Sequence, residues 1–124
     1  MQPIGSKKIV AVLEDLMFTV KINESAKRAG LPVQFVKSEI DAILAAKAHP
    51  ALMIIDLNFQ GVDVLKLIAA LKADEATKGV SLLAYVSHVQ AELKLKAQEA
   101  GCDMVVPRSA FSQNLTQILM RHAS

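Results

Sequence analysis

The sequence predicts an α/β fold in which an open, parallel, doubly wound β-sheet is covered by helices on both faces. Short apolar runs alternate with amphipathic segments five times along the 124 residues. The runs are rich in valine, isoleucine and leucine and mostly lack polar alternation, which is typical of strands buried on both faces. The connections are short, which favours right-handed βαβ units. We therefore expect one compact domain that spans residues 1–124.

The five predicted strands follow one another at regular intervals. They are the runs KIVAVL (8–13), PVQFV (32–36), ALMIID (51–56), VSLLAYV (80–86) and CDMVVP (102–107). Each run is short and is followed by a segment with helical periodicity, so the pattern predicts strand–helix repeats rather than hairpins.

Apolar residues recur at intervals of three and four between these strands. They are Phe18, Ile22, Ala26 and Ala29, then Ile40, Ile43 and Leu44, then Val62, Leu65, Ile68 and Leu71, then Val89, Leu93, Ala97 and Ala100, and finally Phe111, Leu115, Ile118 and Leu119. We expect each set to face the core of the protein. Gly30 and Gly101 predict the ends of the first and fourth helices, and Ser38 predicts a cap at the start of the second.

The composition disfavours several classes of protein. With 52% hydrophobic residues the chain is not disordered, and no charge-free stretch reaches the ~18 residues of a membrane span. The start, MQPIGSKK, lacks the apolar segment of a secretory signal, and a lone cysteine fits a reducing cytosol. The net charge of +2 is spread among acidic residues, which argues against direct nucleic-acid binding. We expect a cytoplasmic protein.

Polar and charged residues follow four of the five predicted strands. Ligands of open α/β sheets bind beyond the carboxyl ends of the strands, so these residues should converge. A carboxylate can accept a phosphoryl group, and carboxylates can hold a divalent cation. A hydroxyl and a cation can bind the phosphoryl oxygens. The residues that predict phosphoryl chemistry at this edge are Glu14, Asp15, Asp56, Ser87, His88 and Arg108.

The same segments resemble the receiver domains of response regulators in two-component signalling. The similar stretches are IVAVLED, PALMIIDLNFQGVDVLKLI, LLAYVS and QEAGCDMVVPRSAF, which together extend over most of the chain. The resemblance implies a flavodoxin-like (βα)5 fold with strand order 2-1-3-4-5. It also implies a signalling domain that is not an enzyme.

Three matching positions concern the phosphoryl group. The resemblance implies that Asp56 is the phosphoacceptor and that Ser87 supplies the hydroxyl that binds the phosphoryl group. Arg108 lies where the family carries lysine. Arginine keeps the positive charge, but its flat, longer fork does not place a point charge as lysine does.

The positions that would hold Mg²⁺ match less well. The resemblance implies Glu14, Asp56 and the backbone carbonyl of Asn58 as ligands. The other acidic position is occupied by Leu13, and Asp15 could replace it only if the end of the strand shifts by one residue. Glu14 is also one methylene longer than the usual aspartate, and Mg²⁺ is strict about geometry.

Four further positions depart from the family pattern near the same edge. His88 replaces a very small residue, Val105 replaces an aromatic residue, and Ser109 and Gln60 each replace a proline. These departures indicate an atypical receiver or a pseudo-receiver.

Two functions stay open. The first is a receiver that takes a phosphoryl group on Asp56 from a histidine kinase or phosphotransfer protein and signals to a downstream effector through the fourth helix, fifth strand and fifth helix. The second is a pseudo-receiver that docks or forms a homodimer without phosphate. A flavin enzyme is disfavoured, because LEDLMFTVKI lacks a hydroxyl- and glycine-rich phosphate loop. Simpler roles also stay open: Glu14 and Asp15 could begin a helix, and Arg108 could pair with Asp56.

Overall fold

The structure is a computed structural model that describes residues 8–87 and 90–123. Within these ranges five strands alternate with five helices, and no helix is long and apolar enough to cross a membrane. The elements are β1 (Ile9–Val12), α1 (Leu16–Ala29), β2 (Val33–Val36), α2 (Glu39–Lys47), β3 (Leu52–Asp56), α3 (Val64–Ala73), β4 (Leu82–Val86), α4 (Ala91–Glu99), β5 (Met104–Pro107) and α5 (Arg108–Ala123). The sheet order is β2-β1-β3-β4-β5 and every neighbouring pair is parallel, which confirms the predicted fold.

Two apolar layers cover the sheet, one on each face. One layer joins alternate residues of the strands to the inner sides of α1 and α5, and the other joins the remaining strand residues to α2, α3 and α4. All four residues of β1 and all five of β3 and β4 are buried. Burial on both faces explains why these strands lack the polar alternation of a half-exposed sheet.

The face that α2 turns to the core differs from the prediction. Ile40 and Leu44 are 71% and 60% exposed, whereas Ala42, Ala45 and Ala46 are buried. Both sets satisfy helical periodicity, but the short alanine side chains let α2 lie close to its neighbours β1 and α3. The core assignment of Ile40 and Leu44 is therefore wrong, and their side chains face outward.

Local capping signals lie where the sequence placed them. Gly30 ends α1 with φ of 74°, a conformation that costs glycine little. The Ser38 side chain accepts a hydrogen bond from the Asp41 N–H at 3.1 Å and so caps α2. Gly101 follows α4 with φ of 110°. Val89, predicted to lie in the fourth helix, falls outside the described residues.

Candidate functional site

Of the cavities at the carboxyl edge of the sheet, two together contain the predicted carboxylates, hydroxyl and cation. The first has a volume of about 340 Å³ and is lined by Glu14, Asp15, Asp56, Asn58, Phe59 and Gln60. The second has a volume of about 330 Å³ and is lined by Phe18, Ser87, Arg108, Ser109 and Ser112. The structure thus brings the predicted acidic residues and Asn58 to one cavity, and the predicted hydroxyl and cation to the other.

Asp56 ends β3 and is 7% exposed. Its Oδ1 atom accepts a hydrogen bond from the backbone N–H of Asn58 at 2.8 Å. Burial raises the pKa of the Asp56 carboxyl; the Asn58 N–H and the charge of Arg108 counteract this increase, and the charge of Asp15 adds to it. Asp56 is therefore a largely desolvated carboxyl group that still borders an open cavity.

Arg108 forms an ion pair with Asp15, and its guanidinium lies over the Phe18 ring at 4.6 Å from the centroid. The Asp15 carboxylate also caps α1, because its Oδ1 accepts hydrogen bonds from the Met17 N–H at 2.9 Å and the Phe18 N–H at 3.3 Å. Asp15 therefore has the helix-start role that remained open from the sequence. Arg108 therefore forms its ion pair with Asp15 rather than with Asp56.

The Asn58 side chain connects two loops of the site. Its Oδ1 accepts a hydrogen bond from the Ser87 N–H at 3.2 Å, and its Nδ2 donates to the Gln90 side chain. The sequence predicted a role only for the backbone carbonyl of Asn58, and this side-chain link was not predicted. His88, which the sequence placed at this edge, lies outside the described residues.

The donors that would hold Mg²⁺ form an incomplete set. Among residues 8–87 and 90–123, no group of three His, Cys, Asp or Glu side chains is arranged to hold a metal ion. Leu13 is buried in the core, and both carboxylate oxygens of Asp15 are engaged, one by the start of α1 and the other by Arg108. The carboxylates that line the first cavity and are not paired with Arg108 are those of Glu14 and Asp56. The residues present therefore do not fit a complete magnesium site.

An aromatic cluster lies beneath the site. The Tyr85 ring stacks on Phe111 with centroids 4.7 Å apart, and the Phe18 ring centroid is 4.9 Å from that of Tyr85. Tyr85 lies opposite Asp56 in the parallel register of β3 and β4. This neighbour of Asp56 was not predicted from the sequence. The signal that could have found it is a polar phenol inside the apolar strand LLAYV.

No protein-family model matches the sequence, and no curated protein matches it significantly. Solved structures, in contrast, match the fold along nearly the whole chain. The chemotaxis response regulator CheY4 of Vibrio cholerae aligns over 94% of this chain and 98% of its own, with 19% identity and a TM-score of 0.78. A putative response regulator from Chloroflexus aurantiacus aligns over 95% and 98%, with 19% identity and a TM-score of 0.81.

A third similar structure is the receiver domain of the sensor histidine kinase PA1611 from Pseudomonas aeruginosa, which has a magnesium ion coordinated in its active-site cleft. It aligns over 96% of this chain and 98% of its own, with 18% identity and a TM-score of 0.79. At these identities the comparisons establish the fold, and that fold is the receiver fold.

Proposed function

We propose that this receiver-fold chain is a cytoplasmic signalling domain in which Asp56 accepts a phosphoryl group from a histidine kinase or phosphotransfer protein. The observation that carries the proposal is the position of Asp56, a buried carboxyl group at the end of the central strand β3 that borders an open cavity. Ligands of open α/β sheets bind at this edge. The signal would then pass to an effector protein by contact, without enzymatic turnover.

The transfer step is a displacement at phosphorus. An oxygen of the Asp56 carboxylate forms a bond to phosphorus while the bond between phosphorus and the donor atom breaks, and the donor keeps the electron pair. The product is an acyl phosphate on Asp56. The Asn58 N–H, which donates to Oδ1 at 2.8 Å, fixes the orientation of the nucleophile.

Arg108 and Ser87 line the second cavity, at the same edge of the sheet as the Asp56 cavity, and would bind the phosphoryl oxygens. Arg108 has five N–H donors, so the pair with Asp15 leaves others for a phosphoryl group. The resemblance also implies Mg²⁺ at Glu14, Asp56 and the Asn58 carbonyl. Since the set of Mg²⁺ donors is incomplete, we propose that Arg108 is the main group that neutralises the negative charge of the phosphoryl group.

A second candidate function is a phosphate-independent interaction module, which includes a homodimer. The observation that favours it is the ion pair of Arg108 with Asp15, which engages the cation, together with the absence of a three-carboxylate group in the described ranges. Leu95 on α4 and Met104 on β5 are 55% and 46% exposed, and both belong to the face that the receiver resemblance implies for partners. Contact through that face would not require a phosphoryl group.

Intact mass spectrometry after incubation with a small acyl-phosphate donor separates the two functions. We expect the wild-type chain to gain the mass of one phosphoryl group and Asp56→Asn to gain none. Glu14→Gln is the matched control, because it removes a carboxylate from the same cavity without changing the nucleophile. A Mg²⁺ titration of both chains then measures how far Glu14 contributes to a cation site.

Other outcomes would redirect the proposal. A mass gain that survives in Asp56→Asn would show that another residue is the acceptor. No gain with the small donor, and none from a panel of phosphorylated histidine phosphotransfer domains, would support the interaction module. Analytical ultracentrifugation would then test whether the partner is a second copy of the chain.

A further inference from the structure

The Tyr85 hydroxyl stands out among the buried polar groups. Tyr85 is 1% exposed, and within the described residues its hydroxyl is the buried side-chain polar atom that makes no hydrogen bond of acceptable geometry. Leaving such a group without a partner costs free energy, so an unpartnered hydroxyl in a well-packed core calls for an explanation.

The sheet places this hydroxyl beside the candidate phosphoacceptor. Asp56 and Tyr85 are register partners on adjacent parallel strands, and side chains of register partners leave the sheet on the same face. Phe111 and Phe18 hold the Tyr85 ring from two sides, so the ring has little freedom to turn away.

The electrostatic environment of the hydroxyl agrees with this placement beside Asp56. Burial raises the pKa of Tyr85 well above its usual range, and the charges of Asp56 and Asp15 raise it further, while Arg108 opposes them. The interaction between the hydroxyl and the carboxyl also contributes to the pKa of Asp56, in the lowering direction. The phenol is therefore neutral at physiological pH and always has a proton to donate. The phenolic O–H can rotate about its C–O bond to point at the carboxylate, and the hydrogen bond forms when the two side-chain oxygens come within hydrogen-bond distance.

We propose that Tyr85 is a positioning residue for Asp56, whose phenolic O–H donates a hydrogen bond to the Asp56 carboxylate from the core side. The Asn58 N–H holds Oδ1 from the loop side, so the carboxylate is fixed by two donors on different elements. During the transfer, one oxygen of Asp56 forms a bond to phosphorus while the bond between phosphorus and the phosphoryl donor breaks. The second oxygen of Asp56 becomes the acyl carbonyl oxygen and can still accept the hydrogen bond from Tyr85. The positioning role rests on the proposed function, whereas the hydrogen bond does not.

The composition makes the hydrogen bond directly measurable, because Tyr85 is the single tyrosine and the chain has no tryptophan. A phenol that donates to a carboxylate absorbs at longer wavelength and fluoresces less than one without an acceptor. We expect Asp56→Ala to shift the near-UV band of Tyr85 to shorter wavelength and to increase its fluorescence, with Asp56→Asn intermediate. Glu14→Gln should leave the spectrum unchanged, because Glu14 is an exposed carboxylate at the same edge.

The positioning role is tested with Tyr85→Phe, which keeps the stacked ring. Without the hydrogen bond that orients the carboxylate for attack, the initial rate of phosphorylation by an acyl-phosphate donor should fall by about tenfold. Circular dichroism checks that the variant is folded. A Tyr85 spectrum identical in wild type, Asp56→Asn and Asp56→Ala would overturn the hydrogen bond, whatever the phosphorylation result.

The remaining outcomes are separable. A shifted spectrum with equal rates in wild type and Tyr85→Phe overturns the positioning role. A shifted spectrum with no phosphoryl gain in wild type, either from the acyl-phosphate donor or from the phosphotransfer domains, supports the hydrogen bond and overturns the proposed phosphoacceptor function, and the positioning role with it. A shifted spectrum with a slower Tyr85→Phe supports both parts of the proposal.

Discussion

Replacing Asp15 by asparagine and by alanine separates the two roles of this carboxylate. Asparagine caps a helix as well as aspartate does, so Asp15→Asn removes only the charge that faces Arg108. Alanine removes the cap as well. The loss of the cap costs about 1 kcal/mol. The ion pair contributes about 0.5 kcal/mol, because its side chains are 41% and 26% exposed and solvent screens them.

We therefore expect Asp15→Asn to lower the free energy of unfolding by about 0.5 kcal/mol and Asp15→Ala to lower it by about 1.5 kcal/mol. In a domain of this size the alanine variant should melt about 4–8 °C below wild type. The assay is urea denaturation followed by circular dichroism, repeated at low and high salt. Only the smaller, charge-dependent part should decrease with salt.

Arg108→Gln completes a double-mutant cycle with Asp15→Asn, in which the coupling energy should be about 0.5 kcal/mol. Equal losses in Asp15→Asn and Asp15→Ala would contradict the capping role, because the cap would then contribute nothing. A coupling energy of zero would show that the ion pair contributes nothing to the free energy of unfolding. A loss that is independent of salt in all variants would show that packing, rather than charge, connects Asp15 to Arg108.

Three further predictions follow from burial. Because burial raises the pKa of Asp56, ionisation of this carboxyl group lowers the stability of the fold as the pH rises through that pKa. Urea denaturation at pH 7 should therefore show Asp56→Asn to be more stable than wild type, and the difference should shrink on acidification. A difference that widens on acidification would contradict this prediction. Burial also raises the pKa of Cys102, whose thiol contacts two backbone carbonyls. Alkylation of this thiol at pH 8 should therefore be slow in the native chain and fast in urea, and fast labelling of the native chain would be inconsistent with its buried position. Ala42→Leu should destabilise the chain by about 1–3 kcal/mol through overpacking, whereas Leu44→Ala should cost less than about 0.5 kcal/mol. The reverse order of urea midpoints would instead support the prediction that Leu44 faces the core.

The parts of the fold that depend on neighbouring residues in the chain were predictable from the sequence. The strands, the αL glycine Gly30 and the Ser38 cap each depend on a few consecutive residues, whose chemistry is visible in the sequence. The core face of α2 was not, because the isoleucine–leucine set and the alanine set have the same period. The choice between them depends on how closely the helix approaches the sheet.

The candidate site shows the same division. The convergence of Asp56, Ser87 and Arg108 at one edge follows from strand ends and parallel topology. The pairing of Arg108 with Asp15 and the approach of Tyr85 to Asp56 depend on side-chain directions across different elements. No spacing in the sequence records those contacts. The phosphoryl chemistry of Asp56 remains a prediction.

The junction between β5 and α5 has a mechanical consequence. The strand ends at Pro107 and the helix begins at Arg108, with no residue between them. Because no loop separates the strand from the helix, a displacement of the Arg108 backbone acts directly on the first turn of α5. A helix of 16 residues is about 24 Å long, so a tilt of about 5° at its first residue moves its far end by about 2 Å. A small displacement at Arg108 would therefore become a larger displacement at the far end of α5.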